Sequence, residues 1–273
     1  MNIKNINFLC GLPRSGSTLL ATLLNQHPKI YASPHSGLLG GLYDMHQSFI
    51  NSESVKWQLR TAFYQQALWT MPQNFYSTVK EDVVFDKQFG WSIPDNFELA
   101  LKISTHPRFI VCHRPILEVL ASFVSKSANN PNFYLNKELE SSGFYAKHYL
   151  SKNDAMAEYL MYGHDLIPRS ILGLANAKKN EDSGMFKFVS YDDLVANPVK
   201  EMSSIFDFLG LEPCELEIDN MEQVFHYNDS VTLGIEDFHK VRPTVKKESP
   251  KPEDYFSDFI LQKYANALEP IGF

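Results

Sequence analysis

No run of apolar residues in this chain approaches the ~20 that a membrane-spanning helix needs. The expectation is therefore a chain without such a span. Residues 1–10 carry Lys4 as their only positive charge and pass at once into a short strand-like run, unlike a secretory leader. Positive charge is in deficit overall, with 25 Lys and Arg against 32 Asp and Glu and a net charge of −7. No global field favours nucleic acid or an anionic membrane, so an anionic ligand must be held by a local cluster of cations and backbone N–H groups. Cysteine is scarce: Cys10, Cys112 and Cys214 lie far apart, and two of them sit inside apolar runs. Reduced, buried thiols suit a cytoplasmic protein. Internal repeats and low-complexity tracts are absent as well.

What is present is ordinary for a folded chain: 273 residues, 44% hydrophobic and 21% charged. That length buries a full core and fits one α/β domain over residues 1–273, with insertions. Short apolar runs at Asn7–Cys10, Ile30–Ala32, Val83–Phe85, Phe109–Cys112 and Phe186–Ser190 read as strands. Helical spacing follows several of them. Leucines 19, 20, 23 and 24 share one face, Ile116 to Val124 repeat after Pro115, and Pro198 opens a helix with Met202, Ile205, Phe206 and Leu209. Residues 38–71 read as a helical insertion stopped by Pro72, and residues 137–178 as two helices. Strands alternating with helices predict an α/β fold, a central mainly parallel sheet with helices on both faces. Ligands in such folds bind beyond the C-terminal ends of the strands. Between residues 229 and 251 polarity rises, with Lys240, Arg242, Lys246 and Lys247, and composition alone reads this as a mobile surface loop.

The turn Gly11-Leu12-Pro13-Arg14-Ser15-Gly16-Ser17-Thr18 lies between the first strand and the first helix. Such a turn aims several N–H groups and the positive end of a helix at one point, which binds phosphate or sulfate. Against the nucleotide-binding pattern G-x-x-x-x-G-K-[ST], it keeps Gly11, Gly16 and Thr18 but has Ser17 in place of lysine, and a cation at Arg14. A guanidinium within the turn offers a planar fork to the oxygens of a transferred group or of its leaving phosphate.

This turn resembles the 5′-phosphosulfate loop of sulfotransferases that use 3′-phosphoadenosine-5′-phosphosulfate (PAPS), and is closer to the tyrosylprotein and bacterial branch than to the cytosolic small-molecule branch. A second signature agrees. The family's 3′-phosphate site is a strand ending in arginine with a serine eight residues on, and Arg114 and Ser122 stand at those positions. The resemblance implies a P-loop nucleotide-hydrolase-like sulfotransferase fold, PAPS as donor, 3′-phosphoadenosine 5′-phosphate (PAP) as product, and no metal. It assigns the donor to Arg14, Ser15, Gly16, Ser17, Thr18, Arg114 and Ser122. Tyr191, in Tyr-Asp-Asp-Leu, resembles a tyrosine near the nucleotide. Lys87 resembles the lysine that reaches the donor's bridging oxygen, and Lys240 and Arg242 resemble cations of the segment covering the cofactor.

In-line sulfuryl transfer needs cations where charge builds on the leaving group, which makes Arg14 and Lys87 catalytic candidates. It also needs a base of near-neutral pKa for the acceptor hydroxyl. His35 is the choice, since it follows the second strand where the tyrosylprotein branch has a glutamate. His106 and His113 are rivals, His239 belongs with the covering segment, and Asp44 or Glu53 is available if the acceptor enters over the insertion. The aromatic stretch with Trp57, Phe63, Tyr64 and Trp69 could stack on an acceptor ring or serve the core. A glycan, a peptide tyrosine and a small alcohol all stand as acceptors. A kinase or nucleotide hydrolase of the P-loop type, and a non-catalytic module that only binds PAP or PAPS, are the alternatives.

Overall fold

The computed structural model describes residues 5–57, 61–143, 151–247 and 249–273. Readings that touch Lys4 or the interiors of the two helical stretches extend in part outside the described residues. Five strands form one wholly parallel sheet: β1 (Asn5–Gly11), β2 (Ile30–His35), β3 (Val83–Lys87), β4 (Phe109–His113) and β5 (Phe186–Ser190), in the order β2-β3-β1-β4-β5. The expected class is therefore the observed one. β1, the first strand, lies in the centre, so the turn that follows it opens at the middle of the sheet's C-terminal edge.

Alternation along the strands divides the core in two. Ile6, Phe8, Phe109 and Val111 face one side, packed with the helices Leu38–Asn51, Pro94–Ile103 and Ile116–Asn129. Leu9, Phe85, Ile110 and Cys112 face the other, packed with α1 (Ser17–Leu24) and the later helix Pro198–Leu209 through Leu20, Leu23, Leu24, Met202, Ile205 and Phe206. Cys10 and Cys112 are both buried and fall on opposite faces of the sheet. Burial drives the Cys10 thiol pKa up to about 12, in keeping with the inert thiols expected.

Local departures from the sequence reading have identifiable causes. Pro72 does not stop its helix, which runs Thr61–Phe75. Proline removes one N–H and blocks one carbonyl, and here the chain adds a final turn with Tyr76 N donating to Pro72 O at 3.0 Å. The second strand is longer than expected and takes in Ser33, Pro34 and His35. It is the outermost strand beside β3, and its register shifts between Ala32 and His35. An edge with an irregular register is where a strand tolerates proline. The stretch after residue 137 is more broken than two helices, with Tyr134–Ser142, Lys152–Glu158, a π-helical turn Tyr159–Gly163 and Leu166–Lys179.

A buried carboxylate fixes the end of β3. Asp86 is fully enclosed and accepts from Ser36 Oγ at 2.6 Å, from Trp91 Nε1 at 2.7 Å and from the Tyr76 hydroxyl. These three donors come from the start and the end of the helical insertion and from the turn after β3. A buried carboxylate needs such partners, and together they set the direction in which the next residue, Lys87, leaves the sheet.

Candidate active site

Gly11 and Gly16 make the turn geometrically possible. Gly11 has φ +115°, and a Cβ there would lie 2.0 Å from Cys112 O on the adjacent strand β4. Gly16 has φ +84°, and a Cβ there would lie 2.7 Å from the ring of Tyr191. Arg14 also adopts a left-handed φ of 60°, which is costly for a residue with a Cβ. Several contacts hold it there. Arg114 Nη1 donates to Arg14 O at 3.0 Å, and the Arg14 guanidinium donates to Ser122 Oγ at 3.0 Å and to Phe238 O at 2.7 Å.

The two motifs thus meet on one wall. The Arg14 guanidinium lies 4.2 Å from the centre of the Phe238 ring, and that of Arg114 lies 4.2 Å from the centre of the Tyr191 ring. Burial, and then the charge of Arg114, push the Arg14 pKa down to about 10, so it stays cationic at neutral pH. Arg114 is paired with Glu118, which accepts from Nε at 3.0 Å and Nη2 at 2.9 Å. Lys247 in turn reaches Glu118 at 3.5 Å and Asp192 at 2.7 Å, and Arg114 also donates to Ser249 Oγ. The polar segment expected as a mobile loop therefore packs over this wall.

Lys87 is 5% exposed, and its Nζ donates to Thr18 Oγ1 at 2.8 Å and to Tyr227 Oη at 3.2 Å. Burial, supplemented by the charge of Arg14 and opposed by Cys112, holds its pKa down at about 8. At the end of β2, His35 Nε2 pairs with Gln88 Oε1 at 2.9 Å, and His35 N donates to Tyr227 Oη at 3.2 Å. Burial and then the Lys87 charge lower the His35 pKa, while the Gln88 bond raises it.

A cavity of about 820 Å³ opens beside these groups. Arg14, Gly16, Ser17, Thr18, His35, Lys87, Arg114, Ser122, Tyr191, Lys240 and Arg242 all line it. Among the residues named from sequence, Ser15 differs. Its hydroxyl turns back into the loop and donates to Leu12 O at 2.5 Å, leaving its backbone N–H as the group a ligand could meet. Lys240 also pairs with Asp237 at 3.0 Å. The rival bases separate clearly. His113 packs on Phe273, His106, Asp44 and Glu53 are exposed, and none of the four lines the cavity. The aromatics of the insertion are also elsewhere: Tyr64 is in the core, while Trp57 and Phe63 are 83% and 68% exposed. The rings that do line the cavity are Phe89, Phe123, Tyr134, Tyr191, Tyr227 and Phe238.

Sequence reasoning missed Gln88, Glu118, Tyr227, Asp229 and Phe238. Gln88, Tyr227 and Phe238 act through partners remote in sequence, Asp229 pairs ten residues on, and the (i,i+4) spacing of Arg114 and Glu118 is the one local signal that could have found a member of the set. The ring of Tyr227 stacks on that of His239 with centroids 4.5 Å apart, and His239 Nδ1 lies 2.6 Å from Asp229 Oδ1.

The sequence pattern of the Sulfotransferase family matches residues 7–215. The chain belongs to the sulfotransferase family. No curated protein matches the chain. Among solved structures, the sulfotransferase domain of the olefin synthase from Synechococcus PCC 7002 is similar at 18% identity, with 98% of this chain and 96% of that one covered, and a TM-score of 0.54. Mouse sulfotransferase SULT7A1, solved with PAP, is similar at 12% identity over 98% and 83% of the two chains, with a TM-score of 0.55. Retinol dehydratase, solved with androsterone and the inactive cofactor PAP, is similar at 14% identity over 98% and 80%, with a TM-score of 0.53. These likenesses establish a sulfotransferase fold. Among the described residues, no helix is long and apolar enough to cross a membrane.

Proposed function

We propose that this sulfotransferase, acting as one unit over residues 1–273, transfers the sulfuryl group of PAPS to an acceptor hydroxyl by in-line displacement without a metal. The observation that carries the reading is the bond from Lys87 Nζ to Thr18 Oγ1 at 2.8 Å. In a P-loop nucleotide hydrolase the corresponding hydroxyl holds magnesium. An ammonium bonded to that hydroxyl puts a fixed positive charge where the hydrolase recruits its ion, and Ser17 replaces the lysine that would support the β- and γ-phosphates.

The residues present suit PAPS. A turn that a Cβ at Gly16 would crowd, with Arg14 beside it, fits the 5′-phosphosulfate. Arg114 and Ser122, with Lys240 and Arg242 on the covering segment, fit the 3′-phosphate, and Tyr191 lies between the two groups. The donor supplies the sulfuryl group. Arg14, partly buried, and Lys87, buried, oppose the charge that grows on the leaving phosphate. His35 and Tyr227 line the cavity and meet through the His35 N–H, which gives the acceptor hydroxyl polar neighbours. A glycan, a tyrosyl residue or a small alcohol can present such a hydroxyl.

The reading is tested by thermal unfolding. PAP at millimolar concentration should raise the melting temperature without magnesium, by mass action on the folded state. A shift with ATP and magnesium but none with PAP would favour a kinase or hydrolase. Binding of PAP with no transfer of label from PAPS to any acceptor pool would favour a binding module.

A further inference from the structure

We propose that His239, held by Asp229, is the base that takes the proton of the acceptor hydroxyl. The proposal rests on the sulfuryl-transfer reading and concerns residues beyond 215, where the family match ends. Asp229 is 5% exposed and grips His239 twice, accepting from Nδ1 at 2.6 Å and from its backbone N–H at 2.8 Å. An imidazole that donates through Nδ1 presents Nε2 as a lone-pair acceptor, and the carboxylate stabilises the imidazolium that forms. His239 lines the cavity. The stacked ring of Tyr227 ties it to Lys87, because the Tyr227 hydroxyl accepts from Lys87 Nζ at 3.2 Å. The preceding residue, Phe238, accepts from Arg14 at 2.7 Å. The imidazole is thus fixed beside both cations assigned to the leaving group.

His35 lacks this equipment. Its Nε2 is engaged by the Gln88 amide oxygen, and no carboxylate bonds it among the described residues. It suits a role in orienting the acceptor. The titratable and charged groups facing His239 among the described residues are Asp229, Lys87, Arg14, His35 and the stacked Tyr227. Burial lowers the His239 pKa, Asp229 raises it, and the two cations lower it again. The net shift is downward, so the ring is neutral at pH 7 and ready to accept a proton. In the step, the acceptor oxygen bonds to sulfur as the bond from sulfur to the leaving phosphate oxygen breaks. That oxygen keeps the electron pair, and the hydroxyl proton passes to Nε2 and then to solvent.

The test compares wild type, His239→Ala, Asp229→Asn and His35→Ala for PAP affinity by calorimetry, and for transfer of label from PAPS to a pool of glycans, tyrosyl peptides, phenols and alcohols. His239→Ala should lose at least 100-fold in turnover, keep PAP affinity within about threefold, and regain turnover with added imidazole. Asp229→Asn should lose about tenfold or more, and the acid limb of its pH profile should move to lower pH because the carboxylate no longer raises the His239 pKa. NMR titration of the unliganded protein should show the same downward move of the His239 imidazole. Full turnover in His239→Ala, or an unmoved imidazole titration in Asp229→Asn, overturns the dyad. Absence of PAP binding or of label transfer in the wild type overturns the donor reading, and the dyad proposal with it, by a separate result.

Discussion

Arg14 Nε donates to Ser122 Oγ across 3.0 Å. This bond joins the turn after the first strand to the helix after the fourth, 108 residues later, and puts both on one wall of the cavity. Ser122→Ala should leave the fold intact and weaken PAP binding by about tenfold, the usual cost of freeing a charged donor from its partner. Calorimetry checks it, and unchanged affinity would mean that the serine serves only the packing of its helix.

Arg114 and Glu118 pair on the same wall. Arg114→Ala should weaken PAP far more than adenosine 5′-phosphate, because only PAP carries the 3′-phosphate. Glu118→Gln removes an anion beside that phosphate and should tighten PAP several-fold. Equal losses for the two nucleotides in the first variant would place Arg114 away from the 3′-phosphate.

Lys87 is a group whose function opposes stability. Its pKa falls from 10.5 to about 8 on folding, so below pH 8 the folded state bears the cost of a buried ammonium. Where the unfolded chain binds more protons, stability rises with pH, so this cost is relieved between about pH 8 and 10.5. At 1.36 kcal/mol per pH unit, Lys87→Met should stabilise the unliganded protein at pH 7 by up to roughly 3 kcal/mol. Turnover should be lost at the same time. Denaturant unfolding that shows the variant to be less stable would contradict this.

The same groups shape the pH profile. With His239 as base, kcat/KM should fall as pH drops through a value below 6.5, and fall again near pH 8 as Lys87 loses its proton. In kcat, measured with the anionic donor bound, the alkaline limb should move upward, because negative charge beside Lys87 favours its cationic form. An alkaline limb that is the same in both profiles would remove Lys87 from the leaving-group side.

Gly16→Ala should fold but bind PAP at least tenfold more weakly. The new Cβ must enter a left-handed conformation and displace the Tyr191 ring, 2.7 Å away, on which the Arg114 guanidinium rests. A calorimetric titration is sufficient, and wild-type affinity would show that Tyr191 yields freely.

Sheet, phosphate turn and second motif were all legible because each is local. Strand periodicity, Gly11, Gly16 and the spacing from Arg114 to Ser122 are carried by neighbouring residues. His35 does reach the cavity, but nothing in the sequence pairs Asp229 with His239 across a turn, or places Tyr227 on both Lys87 and His239. The irregular, largely exposed course of residues 234–247 is the surface loop that composition predicts, but its packing on the site is not legible, because the contacts at Arg14, Arg114 and Glu118 lie more than 100 residues upstream. Pro72 does not end its helix because a proline in the final stretch blocks one bond and not the turn beyond it.

Phe238 and His239 are consecutive, and one holds the arginine of the turn while the other carries the imidazole. One peptide bond therefore couples the two contacts: a backbone shift at 238 that lengthens the bond from Arg14 also pulls the imidazole against its Asp229 anchor, so the arginine and the imidazole cannot be repositioned independently.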